Sequence, residues 1–184
     1  MPHPRFTTAR DLFDSFETAR EDIAAEATDQ PSLEFLNSLV AAGDLRSAVA
    51  FCAYLLPRRE AVWWACQCLR SMIAHPSAAD ERNLGAAEAW VSKPEEELRL
   101  IALDIGMQSD KKGPGAWVAL AAAWSGGRMI RSEHKVASAP PNATPKAVIG
   151  AILLCTAGML PDVRVQHLRN CVQSAIRLLQ NDRS

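Results

Sequence analysis

Apolar residues recur every three or four positions along most of this chain, which is the spacing of amphipathic helices. In 8–27 the charged side chains face away from one apolar stripe, formed by Leu12, Phe13, Phe16, Ala19, Ile23 and Ala27. Thr8 precedes the stripe, and Asp11 follows three residues later, as in a capping box. The pattern therefore predicts a helix over 8–27.

Prolines, glycines and capping residues divide the rest of the chain into further helices. Asp44 and Thr144 are placed to cap two of them, and Ser92 to begin another. The predicted helices cover about 31–42, 44–56, 57–75, 79–91, 92–105, 116–125, 144–157 and the residues from 161 onward. We expect an all-α fold, a compact irregular array of about nine helices built from antiparallel helical pairs, with no sheet. The length of the chain favours one helical domain over 1–184.

The segment 44–70 is the densest apolar stretch, and its second helix shows two distinct sides on a helical wheel. A coherent stripe predicts the core face, formed by Val62, Cys66, Leu69 and Ile73. Trp63 and Trp64 fall near the opposite, polar side, which also carries Arg59 and Arg70. Two interpretations stay open. Either neighbouring helices cover both tryptophans, or at least one lies on the surface between arginines, as in a protein-binding hot spot.

A long connector over 127–143 separates two predicted helices, and it is far longer than the usual helix–helix loop. It is basic before its prolines, through Arg128, Arg131 and Lys135. A solvated loop is the default interpretation, and a partner-binding arm is the alternative. The candidate partner-binding residues of the whole chain are therefore Arg59, Trp63, Trp64, Arg70, Arg128 and Arg131.

Composition argues against several classes of partner. The 20 Lys and Arg against 21 Asp and Glu leave a formal charge of −1, so no global field attracts nucleic acid or an anionic membrane. The longest nearly apolar run, 147–160, is too short to span a bilayer, and the N-terminus lacks a signal-peptide pattern. The five cysteines lie within apolar helical patterns, which indicates reduced core thiols. We expect a cytoplasmic protein.

No motif in the sequence predicts catalysis. Cys66 and Cys68 point about 160° apart on a helix, so their spacing fits neither zinc binding nor a redox pair. The histidines show no i,i+4 pairing, and no glycine-rich phosphate loop follows a strand. The three carboxylates of 95–97 suit the first turn of a helix. We expect no enzyme, no metal site and no cofactor.

The chain contains the distinctive stretches LLPRREAVWWACQCLR, AWVSKPEEELR, GPGAWVALAAAWSGG, the proline-containing connector and TPKAVIGAILL, which together cover about 44–157. These stretches resemble an uncharacterised all-helical bacterial family. Members of that family occur in loci for type VI secretion, near adaptor and PAAR-type spike proteins. The resemblance implies a non-enzymatic cytosolic accessory protein, adaptor or chaperone-like, that binds an effector or spike component through a helical surface. The alternatives are an immunity protein that neutralises a toxin, and an enzyme or effector with an unrecognised site.

Overall fold

A computed structural model describes residues 5–109, 112–126 and 138–181 of the chain. Within these ranges the secondary structure is helical, with an isolated β-bridge between Thr8 and Pro31 and no strand. The helices are α1 (Ala9–Ser15), α2 (Ala19–Asp22), α3 (Ser32–Ala41), α4 (Leu45–Leu55), α5 (Arg58–Met72), α6 (Ala78–Ser92), α7 (Glu96–Gln108), α8 (Pro114–Ala123), α9 (Ala143–Thr156) and α10 (Pro161–Asn181). The predicted all-α class is confirmed, and the described residues form ten helices where about nine were expected.

The chain divides into two compact units. The terminal unit comprises Met1–Pro57 and Met159–Ser184, and it contains α1–α4 and α10. The central unit is Arg58–Gly158 and contains α5–α9. The terminal unit combines residues from both ends of the chain, and the expectation of one domain over 1–184 stays a prediction.

The helix predicted over 8–27 is two helices, α1 and α2. Thr8 caps α1 as predicted: its Oγ1 accepts from the amide of Asp11 at 3.2 Å, and the Asp11 carboxylate accepts from the amide of Thr8 at 2.9 Å. After α1, the ring of Phe16 packs on Tyr54 with 5.1 Å between ring centroids, and the Tyr54 hydroxyl donates to Asp22 at 2.7 Å. Tertiary packing therefore overrides the local helical pattern at this break.

The core of the terminal unit is built around α4. Every residue of α4 except Arg46 is buried, and α3 and α10 both pack against it. Its first turn is held by Asp44, whose carboxylate accepts from the amide of Ser47 at 3.1 Å, as predicted. Gly43 precedes the cap with φ +76°, a conformation that favours glycine, and it ends the preceding helix as expected.

The central unit is built around α8, which packs against α5, α6, α7 and α9. Two glycines allow neighbouring helices to approach closely. A Cβ on Gly115 would lie 2.9 Å from Oδ1 of Asp80 in α6, and one on Gly106 would lie 2.9 Å from Cγ of Leu120 in α8. The buried Arg99 guanidinium donates to the carbonyl of Ala123 at 2.5 Å, so α7 satisfies an orphan acceptor at the end of α8.

Two predicted helix starts are wrong. Ser92 is the last residue of α6, and α7 begins at Glu96 after Glu95. Thr144 lies inside α9, and its hydroxyl donates to the carbonyl of Ala121 at 3.1 Å, so it joins α9 to α8 instead of capping its own helix. Both predicted helix starts rest on local capping signals in the sequence. The observed starts depend instead on how neighbouring helices pack. None of the described helices has the length and apolar character needed to cross a membrane.

Candidate protein-binding groove

The two consecutive tryptophans of α5 differ in their exposure to solvent. The side chain of Trp63 is 39% exposed, whereas Trp64 is 0% exposed. Of the predicted core positions, Val62, Cys66 and Leu69 are buried as well, whereas Ile73 lies just after α5 and is half-buried. The interpretation in which neighbouring helices cover both tryptophans is therefore wrong: Trp63 lies on the surface, and only Trp64 is covered by its neighbours.

The structure corrects the placement of Trp64 among the candidate partner-binding residues. Helix α5 packs against α6, α8 and α9 within the central unit, so more than one of its faces is buried. Trp64 lies on a second buried face, together with Ala61, Ala65 and Cys68. A helical wheel with one apolar and one polar side cannot describe a helix in this position. Trp64 is a core residue and cannot contact a partner.

A groove of about 340 Å³ lies beside Trp63. It is lined by Arg59, Glu60, Trp63, Val91 and Ser92, so α5 supplies one wall and the last residues of α6 supply the other. Arg59 and Trp63 are four residues apart, and i,i+4 side chains are neighbours on a helix surface. The groove therefore brings together an exposed indole, a guanidinium and a carboxylate.

Arg59 also ties the two walls of the groove together. Its Nε donates to the carbonyl of Val91 at 2.7 Å. Val91 is in the last turn of α6, where backbone carbonyls have no partner inside the helix. The guanidinium is thus both a cap for α6 and part of the groove lining.

Arg70, the second arginine predicted on this side of α5, is held by α6. Its Nε and Nη2 donate to the carboxylate of Glu88 at 2.9 and 3.0 Å, and its Nη1 donates to Glu81 at 2.7 Å. These bonds, to Glu88 first and to Glu81 next, raise the pKa of Arg70 above its ordinary value. With two carboxylates beside it, the Arg70 guanidinium joins α5 to α6.

The structure therefore groups Arg59 with Trp63 and sets Arg70 and Trp64 apart from them. Arg128 and Arg131 lie outside the described residues. Three lining residues were absent from the prediction. Glu60 could have been found, because it precedes Trp63 by three positions and shares its helix face. Val91 and Ser92 come from α6, and no local signal in the sequence links them to α5.

A second concavity, also of about 340 Å³, lies between α8 and α9. Trp117 and Trp124 form its aromatic wall, with their rings edge-to-face and 6.2 Å between centroids. Its other lining residues are Pro140, Asn142, Ala143, Lys146, Ala147 and Gly150. A Cβ on Gly150 would meet no atom within 4 Å, so the small residues of α9 leave this space open.

The cysteines behave as core thiols. Cys52, Cys66, Cys68 and Cys171 are buried, Cys155 is half-buried, and none of the five forms a disulfide. Burial raises the pKa of the Cys66 thiol to about 12, and the nearby negative charge of Glu88 adds to the effect. Burial likewise raises the pKa of Cys52. A protonated thiol is a poor nucleophile and a poor metal ligand. Among the described residues no group of three or more His, Cys, Asp or Glu side chains could hold a metal ion.

The fold and the groove define an all-helical protein with an exposed aromatic side chain in a concave surface. The chain belongs to a family described as "Family of unknown function (DUF6931)", whose profile matches residues 35–179. The match extends beyond the region 44–157 that carried the resemblance, and membership of an uncharacterised family is confirmed. The family description names no secretion system. No curated protein and no solved structure matches the chain significantly.

Proposed function

We propose that this protein is a non-enzymatic accessory protein of type VI secretion, adaptor or chaperone-like, that holds an effector or spike component through the Trp63 groove. The observation that carries the proposal is the exposed indole of Trp63 in a concavity shared with Arg59. Tryptophan and arginine are the residue types most enriched among binding hot spots, and such residues lie in pockets near the centre of interfaces. The proposed partner is a protein, and the proposed site of action is the cytoplasm.

The groove also has the rigidity that a binding surface requires. Its α5 wall rests on the buried side chains of Val62 and Trp64, and Arg59 and Arg70 bond that wall to α6. A surface that is already ordered loses little conformational entropy when a partner docks. The assignment to type VI secretion rests on the resemblance of the sequence motifs. The proposed class of partner, an effector or spike component, rests on the same resemblance.

The proposal is tested by site-specific photo-crosslinking in cells that carry the native gene neighbourhood. The photoreactive residue p-benzoylphenylalanine replaces Trp63 in one variant and Ile101 in another. Ile101 is a matched control because it is 41% exposed and lies in the central unit but not in the groove. Crosslinked proteins are identified by mass spectrometry.

We expect a secretion effector or spike component to crosslink at position 63 and not at position 101. A toxin that is not a component or effector of the secretion system, crosslinked at position 63, would replace the proposal with the immunity-protein alternative. The proposal fails if position 63 yields no protein adduct, or if both positions yield the same adducts.

A further inference from the structure

The two arginines on the outer side of α5 differ in how their charges are balanced. Arg70 has two carboxylates within 3.0 Å, those of Glu81 and Glu88. Arg59 donates to a neutral acceptor, the carbonyl of Val91, and forms no ion pair with any residue in the described ranges. The neighbouring carboxylate of Glu60 lines the same groove but forms no ion pair with Arg59 in the described ranges.

The bond from Nε to Val91 also orients the guanidinium. With Nε held at 2.7 Å from the carbonyl of Val91, the two terminal nitrogens of Arg59, which lines the groove, form no hydrogen bond to another described residue. A guanidinium fork matches a carboxylate in a bidentate arrangement, which is shorter and stronger than a bond between neutral groups. An ordered fork loses less conformational freedom on binding than a mobile arginine does.

Resting on the proposed function, we infer that the partner inserts a carboxylate against Arg59 and an adjacent apolar side chain against the indole of Trp63. The indole of Trp63 supplies the apolar contact, and the Arg59 fork supplies the charge. The two residues are four positions apart in α5, about 6 Å along the axis. Neighbouring residues of a bound peptide, with Cα atoms about 3.8 Å apart, can reach both through their side chains.

Glu60 restricts the number of negative charges that a partner can place in the groove. Its carboxylate lines the same groove, beside Arg59 in sequence, and it repels a second negative charge. The site is thus complementary to one acidic residue next to one apolar residue, and it disfavours a polyacidic segment. This complementarity favours a specific partner motif over general electrostatic attraction.

Three matched dipeptides test the inference on the full chain: Leu-Glu, Leu-Gln and Leu-Lys, each N-acetylated and C-amidated. The indole N–H signal of Trp63 in a nitrogen-15 correlation spectrum reports binding at peptide concentrations up to about 10 mM. The signal is assigned by its disappearance in Trp63→Phe. We expect the Kd of Leu-Glu to be lower than that of Leu-Gln by about fivefold, and Leu-Lys to bind most weakly.

Variants of Arg59 distinguish the contribution of its positive charge from that of its planar guanidinium group. Arg59→Gln should abolish the preference for Leu-Glu, and Arg59→Lys should retain only part of it, because lysine lacks the fork. Arg82→Gln is the matched control, since Arg82 is an exposed arginine of α6 that does not line the groove. It should leave the preference unchanged. Unaltered spectra outside the groove show that each variant is folded.

Equal affinities for Leu-Glu and Leu-Gln would overturn the inference while leaving the groove as a peptide-binding surface. A Trp63 signal that no dipeptide moves would also overturn it. The proposed function fails separately, in the crosslinking experiment at position 63, which uses none of these peptides.

Discussion

Trp63 and Trp64 are adjacent in α5, yet the first is 39% exposed and the second is completely buried. Their backbones share one helix, and only the direction of each side chain differs, by about 100° around the axis. Trp64 therefore supports the central unit, and Trp63 is available for contact. Substitution of Trp64 therefore tests a contribution to stability, and substitution of Trp63 tests a contribution to binding. Each variant serves as the control for the other.

Trp64→Ala should lower the free energy of unfolding by about 3–5 kcal/mol, because it leaves a large cavity in a packed core. Trp63→Ala should lower it by less, about 1–2 kcal/mol, since the indole is 39% exposed and its loss leaves no enclosed cavity. Urea denaturation followed by circular dichroism measures both effects. Similar losses in the two variants would mean that Trp63 is a structural residue.

Two glycines of the central unit should respond oppositely to the same substitution. Gly150→Ala should raise the free energy of unfolding by about 0.4–1 kcal/mol, because the new methyl group enters open space in α9 and restricts the unfolded chain. Gly115→Ala should lower it by about 1–3 kcal/mol, since Cβ would lie 2.9 Å from Oδ1 and 3.2 Å from Cα of Asp80. Thermal unfolding of the two variants gives the comparison. A stable Gly115→Ala protein would contradict the close approach of α8 to α6.

Stability should fall in alkaline solution because of the buried thiols. The ordinary pKa of the Cys66 thiol is 9.0, and burial raises it to about 12 in the folded chain. Between these values the unfolded thiol has lost its proton and the folded thiol has kept it, so the unfolded state binds fewer protons. The free energy of unfolding then decreases with rising pH, by about 1.4 kcal/mol per pH unit for each such thiol.

Urea unfolding at a series of pH values from 8 upward measures this slope. Cys66→Ala should make it shallower than in the wild-type protein, whatever the variant's stability at neutral pH. An identical slope in the two proteins would show that Cys66 ionises equally in the folded and unfolded states.

Which residues are buried could be predicted from the sequence better than where helices end. In the first predicted helix, Leu12, Phe13 and Phe16 are buried as the apolar stripe required, although the helix itself is broken. Burial follows from hydrophobicity at each position. The break depends on the contact of Phe16 with Tyr54, which lies far along the chain.

Prediction of the groove residues from the sequence was limited in the same way, by contacts between distant parts of the chain. The sequence singled out Arg59 and Trp63 because both belong to one helix face, and local periodicity is sufficient for that. It could not separate Trp63 from Trp64, since the second buried face of α5 arises from helices packed on several sides. Nor could it distinguish Arg59 from Arg70, because the carboxylates that hold Arg70 come from α6.

The most direct test of the proposed function is the affinity of the crosslinked secretion component, purified, for three forms of the full chain. Isothermal titration calorimetry would compare the wild-type protein with Trp63→Ala and Ile101→Ala. We predict that Trp63→Ala raises Kd at least about tenfold, a loss typical of a hot-spot residue, and that Ile101→Ala leaves it unchanged. An unchanged Kd for Trp63→Ala would contradict the assignment of the Trp63 groove as the binding surface.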